Sequence, residues 1–324
     1  VIGKLEQSNG TLKGVGTATV GGLFTWTGGS QSEAGETVAN GGVQLSGGVH
    51  YLNSRTLTLN GASTYSGGVM RLMNAATINF DSPLDIQTDD DIHHYTGTLS
   101  TLNINSTITK SAGTDATKLQ GHFNNNGTII VNSGEIWLGH GNGTGTSTGD
   151  FEASAGAILG VSGNNTMTGA SSFTGDGGLT YHGGGTTVIQ GGYGLQGTLG
   201  VKLGKLSFAN SVTIEDDVTV TGGTLEYLLG SSINADVYLT SGELIAAASL
   251  SISGALQQSN GTMKGVGTVT VAGLFTWTGG SQSESGVTVA NGGMQLSGGI
   301  HHLNARTLTL NGASTYSGGV MRLM

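Results

Sequence analysis

Hydrophobic and polar residues alternate over short stretches along most of the chain. Segments such as LFTWT, TLTLN and TIIVN place aliphatic or aromatic side chains at every second position, with mainly threonine and asparagine between them. A period of two is the pattern of a β-strand with one buried face. Gly-Gly, Asn-Gly and Ser-Gly pairs separate the segments and allow the positive φ angles of tight corners. The pattern therefore predicts an all-β protein with many short strands.

A longer period groups these strands into coils. Glycines followed by an apolar residue one or two positions later recur at Gly134, Gly156, Gly178, Gly197, Gly223, Gly242 and Gly261. This recurrence is typical of a β-solenoid, in which each coil stacks on its neighbours to bury its apolar face. We predict a right-handed parallel β-helix with coils of about 20 residues. The segment GELIAAASL at residues 242–250 is the best helix candidate, but its glycine belongs to the series, so we predict a coil there too.

One part of the chain occurs twice. Residues 5–73 align without a gap with residues 256–324 at a constant offset of 251, and only ten of the 69 positions differ. Five of the ten exchange one small or apolar residue for another, which a shared packing environment tolerates. We interpret the repeat as structural and predict one continuous solenoid over residues 1–324. Because residues 74–255 occur once, the copied unit is either 251 residues or a module of about 69.

Stacking of coils predicts which side chains meet. Leu57 and Leu59 are expected to point inward and to form aliphatic ladders with equivalent residues of the adjacent coils. Phe24 and Trp26 share one strand face, as do their copies, so an aromatic stack is expected in each copy. Asparagines at the corners are expected to form ladders through their amides.

Composition narrows the classes of protein. Glycine accounts for 61 of 324 residues, but the single proline and the 36% hydrophobic content exclude collagen and a disordered chain. The absence of cysteine excludes disulfides and thiolate metal sites. The net charge of −9, without a basic stripe, argues against nucleic-acid binding. No apolar run reaches the ~18–20 residues of a membrane span. A valine start and an end inside the repeat lead us to expect a piece of a longer protein, or units that stack end to end.

A short motif in the repeat resembles a known family. The segment LTLNGASTYSGG, at residues 57–68 and again at 308–319, is similar to the autotransporter-associated β-strand repeat, with Ser63 and Ser314 where the family usually has asparagine. The matching residues of the first copy are Leu57-Thr58-Leu59, Gly61-Ala62, Thr64-Tyr65 and Gly67-Gly68. The rest of the chain resembles haemagglutinin-like bacterial surface proteins only in general character. The resemblance implies a right-handed parallel β-helix in a large bacterial protein displayed outside the cell, and it implies no catalytic residues.

The densest polar cluster is DSPLDIQTDDDIHH. Its titratable residues are Asp81, Asp85, Asp89, Asp90, Asp91, His93 and His94. Adjacent carboxylates attract hard cations such as calcium, which takes oxygen ligands, but the spacing matches neither an EF-hand loop nor a calcium β-roll. We favour a solvated loop that protrudes from the solenoid, and we retain a calcium site at Asp89–Asp91 as the alternative.

Two further groups of residues have the chemistry of functional sites. His50, His301 and His302 lie beside the repeated strand, and we expect them on an outer face because Tyr51 replaces one of them in the first copy. The segment IEDDV brings together Glu215, Asp216 and Asp217 on a strand or at a corner. A glycosidase needs two carboxylates at a defined distance across a groove, and a lyase needs nearby bases. Lys202 and Lys205 are the nearest bases in sequence.

These observations favour a structural protein over an enzyme. We expect an extracellular fibre or shaft at the bacterial cell surface (a filament, sheath, stalk or adhesin shaft) that self-associates end to end or laterally. Host or biofilm surface glycans are further expected partners. We assign no catalytic, cofactor-binding or metal-ligating residue. The alternative is a β-helix protein that binds or cleaves polysaccharide, as tailspikes and lyases do.

Overall fold

The computed structural model describes all residues 1–324, and the chain forms β-strands without any helix. It divides into two compact units, Val1–Ser172 and Phe173–Met324. With three strands to a coil, the 48 strands make about 16 coils of roughly 20 residues. No segment therefore meets the length and apolarity that a membrane-crossing helix requires.

The strands of the first unit are short and evenly distributed. They are β1 (Leu5–Gln7), β2 (Thr11–Lys13), β3 (Thr17–Val20), β4 (Phe24–Trp26), β5 (Gly29–Ser32), β6 (Glu36–Ala39), β7 (Val43–Leu45), β8 (His50–Asn53), β9 (Thr56–Leu59), β10 (Ser63–Tyr65), β11 (Met70–Met73), β12 (Thr77–Phe80), β13 (Leu84–Ile86), β14 (Ile92–Thr96), β15 (Thr101–Ile104), β16 (Thr107–Lys110), β17 (Ala116–Leu119), β18 (His122–Asn125), β19 (Thr128–Val131), β20 (Glu135–Leu138), β21 (Thr144–Ser147), β22 (Asp150–Ala153), β23 (Ile158–Ser162) and β24 (Asn164–Met167).

The second unit has strands of the same length. After β25 (Ser172–Gly175) they are β26 (Gly178–Gly183), β27 (Thr186–Ile189), β28 (Gly192–Leu195), β29 (Leu199–Val201), β30 (Lys205–Phe208), β31 (Thr213–Ile214), β32 (Val218–Val220), β33 (Thr224–Tyr227), β34 (Ser231–Ile233), β35 (Val237–Leu239), β36 (Glu243–Ala246), β37 (Leu250–Ile252), β38 (Leu256–Gln258), β39 (Thr262–Lys264), β40 (Thr268–Val271), β41 (Phe275–Trp277), β42 (Gly280–Ser283), β43 (Val287–Ala290), β44 (Met294–Leu296), β45 (Ile300–Asn304), β46 (Thr307–Leu310), β47 (Thr315–Tyr316) and β48 (Val320–Leu323).

Within each unit most strands pair in parallel with the strand three places further along; β18 and β28 each end a sheet instead. In the first unit, for example, β1 pairs with β4 and β4 with β7. In the second unit six equally spaced residues follow one another in one ladder: Leu199, Val218, Val237, Leu256, Phe275 and Met294. The prediction of an all-β parallel solenoid with coils of roughly 20 residues is confirmed. Residues 242–250 also form part of a solenoid coil and not a helix, because they contain β36 and the start of β37.

The predicted ladders are present in the core of the first unit. Leu57 pairs with Ile78, and Ile78 pairs with Leu102, so three aliphatic side chains stack on consecutive coils. Leu59 lies in register with Phe80 in the same way. All of these side chains are buried. The ladder prediction is therefore confirmed.

The predicted aromatic stacks are also present. The ring centroids of Phe24 and Trp26 lie 5.6 Å apart with planes at 18°, and those of Phe275 and Trp277 lie 5.9 Å apart with planes at 14°. Each tryptophan satisfies its indole N–H internally. Trp26 Nε1 donates to the carbonyl oxygen of Gly28 at 3.0 Å, so a large aromatic core residue carries no unpaired polar group.

Amides form ladders at a corner and on a strand face. The Asn60 side chain donates from Nδ2 to Asn40 Oδ1 at 3.0 Å across one corner, as predicted. A second ladder, which the sequence did not place, runs along the outer face of β12, β15 and β18. There Asn124 Nδ2 donates to Asn103 Oδ1 at 3.0 Å, and Asn103 Nδ2 donates to Asn79 Oδ1 at 2.9 Å.

The Gly-Gly corner of the repeated motif has a steric cause. Gly68 has a φ of +85°, which residues with a side chain rarely adopt. A Cβ atom there would overlap the carbonyl oxygen of Gly48 on the adjacent coil. Tyr65, buried in the same coil, donates its hydroxyl hydrogen to the Gly68 carbonyl oxygen at 2.5 Å. The tyrosine and the glycines thus shape one corner together.

A buried arginine joins three coils in each copy of the repeat. Arg55 Nη1 donates to the Gly14 carbonyl oxygen at 2.8 Å, and Nη2 donates to the Glu36 carbonyl oxygen at 2.7 Å. Its Nε donates to Thr37 Oγ1 at 3.0 Å. Arg306 makes the corresponding bonds in the second copy, including 2.8 Å from Nη1 to the Gly265 carbonyl oxygen. Backbone carbonyls that a corner leaves unpaired are satisfied in this way.

The two copies differ in burial although their sequences agree. Leu59 of the first copy is 1% exposed, because the coil that contains β12 covers it. Its counterpart Leu310 is 45% exposed. The two leucines lie in the same local sequence, so the difference between their exposed fractions shows how much of the side chain one stacked coil buries.

We predict that Leu59→Ala lowers the free energy of unfolding by about 3 kcal/mol, since it leaves a cavity between two coils. The matched variant Leu310→Ala should lower it by less than about 1 kcal/mol. Urea unfolding followed by circular dichroism measures both. Equal losses in the two variants would contradict the assignment of the core to coil stacking.

Candidate functional site

The first aspartate of the triplet at residues 89–91 forms an ion pair with a buried lysine. The side chain of Lys110 is fully buried, and its Nζ lies 2.7 Å from Asp89 Oδ1. The same ammonium donates to the Thr88 carbonyl oxygen and to Thr117 Oγ1, both at 2.9 Å. Partial burial alone would raise the pKa of Asp89, but the hydrogen bond and charge of Lys110, with backbone N–H groups, outweigh it and lower the pKa.

The other two carboxylates of the triplet bind backbone N–H groups. Asp90 Oδ2 accepts a hydrogen bond from the Gly68 N–H at 2.7 Å. Asp91 Oδ1 accepts one from the Lys118 N–H at 2.8 Å, and its Oδ2 lies 3.7 Å from Lys118 Nζ. The interpretation as a protruding solvated loop is wrong, because these half-buried residues connect three neighbouring segments.

The other two aspartates of this cluster, Asp81 and Asp85, lie apart from the triplet's partners. Asp81 accepts from Asn105 Nδ2 at 2.7 Å, and Asp85 accepts from Gln87 Nε2 at 2.7 Å. No group of three or more histidine or acidic side chains is arranged to hold a metal ion. The calcium alternative therefore finds no support in this geometry.

We predict that Asp89→Asn lowers the free energy of unfolding by about 2–3 kcal/mol, because it leaves the buried ammonium of Lys110 without a counter-charge. Asp85→Asn, in the same segment but without an ion pair, is the control and should change it by less than about 1 kcal/mol. Chemical denaturation measures both. An Asp89→Asn variant as stable as the control would contradict a structural role for this pair.

The expectation that the histidines lie on an outer face is wrong for two of them. His50 and His301 are completely buried. His50 Nε2 lies 2.9 Å from the Trp26 carbonyl oxygen, and its ring meets the Trp26 ring edge-on at 5.1 Å. The alternation within HYLN contained the signal, because Leu52 must point inward and His50 is two positions before it. His302 is half-buried and takes the place of Tyr51.

Burial makes the stability of this region sensitive to pH. Burial lowers the pKa of His50 from 6.5, and hydrogen bonds to backbone carbonyls offset only part of the shift. Burial also lowers the pKa values of His93 and His94. Each histidine thus binds its proton more tightly in the unfolded chain than in the folded one. Stability is therefore lost as the pH falls below 6.5.

We predict that the free energy of unfolding decreases between about pH 7 and pH 5, before carboxylates titrate. The variant His50→Gln should show a shallower decrease, since one of the contributing groups no longer titrates. Urea unfolding over this pH range is the measurement. A free energy that rises on acidification, or a slope unchanged by the substitution, would contradict the buried neutral histidine.

The acidic segment IEDDV forms a corner. Glu215 Oε2 accepts a hydrogen bond from Asn234 Nδ2 at 2.8 Å. Asp217 Oδ1 accepts one from the Asp236 N–H at 3.1 Å, and Asp236 Oδ1 in turn accepts one from the Ala255 N–H at 2.7 Å. Aspartates one coil apart thus pair with the backbone of each following coil. Sequence reasoning missed Asp236, although its spacing from Asp217 equals the coil period.

One of the two lysines nearest to the acidic segment in sequence has another partner. Lys205 Nζ lies 2.8 Å from Glu226 Oε2, on the outer face shared by β30 and β33. Ser207 Oγ donates to the same carboxylate oxygen at 2.7 Å. The ammonium of Lys205 is therefore paired with the carboxylate of Glu226, and this ion pair joins two coils.

A surface that the sequence reasoning missed lies on one sheet of the first unit. We call it the aromatic–cation face, and it consists of outward side chains of β8, β11, β14, β17 and β20: Tyr51, Arg71, His93, Tyr95, Lys118 and Trp137. The guanidinium carbon of Arg71 lies 4.5 Å from the ring centroid of Tyr95 and 5.6 Å from that of Tyr51. Lys118 Nζ lies 5.6 Å from the ring centroid of Trp137.

Strand register brings these residues together. Tyr51 pairs with Arg71, and Arg71 pairs with His93, at steps of one coil. The pairing of β11 with β14 then shifts at a bulge, which leaves Tyr95 unpaired and 53% exposed. Tyr51, Arg71 and His93 follow one another at close to one coil period, so their stacking could have been inferred from the sequence. The bulge at Tyr95 could not be inferred in that way.

Comparisons of this chain with protein-family models, with curated proteins and with solved structures find no match.

Proposed function

We propose that this chain is a structural segment of an extracellular fibre or shaft at a bacterial cell surface, built by stacking β-solenoid coils. The observation that carries the proposal is the equal spacing of the six paired residues along the ladder from Leu199 to Met294. A coil that offers the next one the same row of backbone donors and acceptors can be repeated, and each repeat adds length.

The charged groups support the same role. The pair of Asp89 and Lys110, and the corner aspartates Asp217 and Asp236, all bond one coil to another. Arg55 likewise connects coils, and its hydrogen bonds reach over three of them. Groups with the chemistry of an active site are thus used to hold the coils together, which argues for a structural protein and against an enzyme.

Exposed apolar residues at matching positions support self-association. Val15 and Leu23 in the first copy and Val266 and Leu274 in the second are all exposed. A feature present in both copies at the same offset is what lateral packing of repeated units requires. The proposed partners are therefore further copies of the chain, laterally or end to end.

A second candidate function is polysaccharide binding, which the aromatic–cation face favours. Polysaccharide cleavage has a separate test at the acidic corner. Loss of a measured glycan cleavage after alanine substitution of Glu215, Asp216 and Asp217 would replace the structural proposal with an enzyme.

The structural proposal is tested by lengthening the chain. Residues 74–324 are fused directly after Met324, the counterpart of Met73, which adds 251 residues. Twelve or so added coils at ~4.8 Å should lengthen the particle by about 60 Å in electron micrographs, at unchanged width.

The control for this fusion carries a flexible glycine–serine linker at the junction and should give two separately oriented bodies. Growth in all directions, or two such bodies without the linker, would overturn the proposal.

A further inference from the structure

Arg71 is a fixed cation without a counter-ion. Its guanidinium makes one hydrogen bond, from Nη1 to Tyr51 Oη at 3.1 Å, and its Nε–H has no acceptor. Lys110 and Lys205, by contrast, each form a close ion pair, at 2.7 Å and 2.8 Å from a carboxylate oxygen. A cation held on an outer face and left unpaired, in a chain of net charge −9, can bind an anion from outside the protein.

The position of this cation is set before any ligand arrives. The rings of Tyr51 and Tyr95 flank the guanidinium, and both tyrosines are held by strands of the same sheet. Cation–π contact with a ring favours arginine over lysine and restricts the side chain to few conformations. Little conformational entropy is then lost when a ligand binds.

The face extends beyond Arg71 as a row. Five consecutive strands of one sheet contribute to it, so its residues span roughly 19 Å along the stacking direction at ~4.8 Å per coil. Tyr95 and Trp137 present ring surface, and Lys118 lies over the Trp137 ring while sharing its charge with Asp91 at 3.7 Å. An elongated ligand with apolar ring faces and a carboxylate that reaches Arg71 matches this row.

We propose that the aromatic–cation face binds an acidic polysaccharide built from uronic acids, with Arg71 holding a sugar carboxylate and Tyr95 and Trp137 packing against sugar rings. Guanidinium and carboxylate have matching planar geometry. Nucleic acid fits less well, because its affinity depends on neutralising several phosphates and this face has one unpaired arginine. The proposal does not depend on fibre assembly, so it stands or falls separately.

The repeat supplies an internal control. Arg322 occupies the place of Arg71 in the second copy, and it pairs in register with His302, which replaces Tyr51. The phenol that accepts a hydrogen bond from Arg71 is therefore missing there. A substitution at Arg322 removes the same charge from the chain without touching the proposed site.

The test is calorimetric titration of the full chain with an oligomer of galacturonic acid, alongside its methyl ester, which lacks the negative charge. We expect Arg71→Gln to weaken binding of the acid by about tenfold or more, the loss of one charge-assisted pair. Tyr95→Ala should weaken it severalfold, and Arg322→Gln should leave it unchanged. Binding of the acid should also weaken as salt is raised.

Three results would overturn the proposal: equal binding of acid and ester, equal losses in the Arg71 and Arg322 variants, or tighter binding of single-stranded DNA than of the oligomer. Absence of measurable binding to the unsubstituted chain would overturn it as well. Tyr95 is an exposed side chain, so the Tyr95→Ala variant should fold normally. If Arg71→Gln fails to fold, the binding measured for Tyr95→Ala still tests the proposal.

Discussion

The structure depends on one constraint, the parallel backbone hydrogen bonding between each coil and the next. A parallel strand leaves half of its donors and acceptors on each side, so every coil needs a neighbour of matching register. This requirement keeps the coil length near a single value and places like side chains above one another. The aliphatic ladder through Leu57, Ile78 and Leu102 and the amide ladder through Asn79 and Asn103 are two consequences of it.

The same constraint decides where polar groups are useful. Strands satisfy their own backbone, but corners interrupt the ladder and leave carbonyls and N–H groups to be paired. Arg55 supplies donors to such carbonyls, while Asp90 and Asp217 supply acceptors to such N–H groups. The aspartates that looked like catalytic or metal-binding candidates, Asp89–Asp91 and Asp216–Asp217, therefore lie at corners, whereas candidates such as His50 and Lys205 lie within strands. Arg71 of the aromatic–cation face differs from all of these charged groups, because it pairs with no carboxylate.

Much of the fold could be predicted from the sequence. The alternation of hydrophobic and polar residues predicts the strands, and the longer glycine period predicts the coils. Both patterns are reliable because they are repeated many times. His50 was expected on an outer face because tyrosine replaces a histidine at the neighbouring position of the other copy, but the alternation that Leu52 defines turns His50 inward. Asp89 and Lys110 are 21 residues apart, about one coil period, so their pairing could have been inferred in the same way as that of Asp217 and Asp236. The position of Tyr95 could not be predicted. It depends on one irregular coil, where Ile92 pairs with Leu119 at a step longer than the usual period and a bulge changes the register.

Register is also what an experiment can test most directly. The chain has no cysteine, so spin labels can be attached at chosen pairs of introduced cysteines on the outer face of β12, β15 and β18. Labels at positions 79 and 103 are one coil apart, and labels at 79 and 124 are two coils apart. Parallel in-register stacking predicts strong dipolar broadening for the first pair and weaker broadening for the second, as expected for separations of about 5 and 10 Å. Equal broadening for the two pairs, or stronger broadening for the second, would contradict the stacked solenoid.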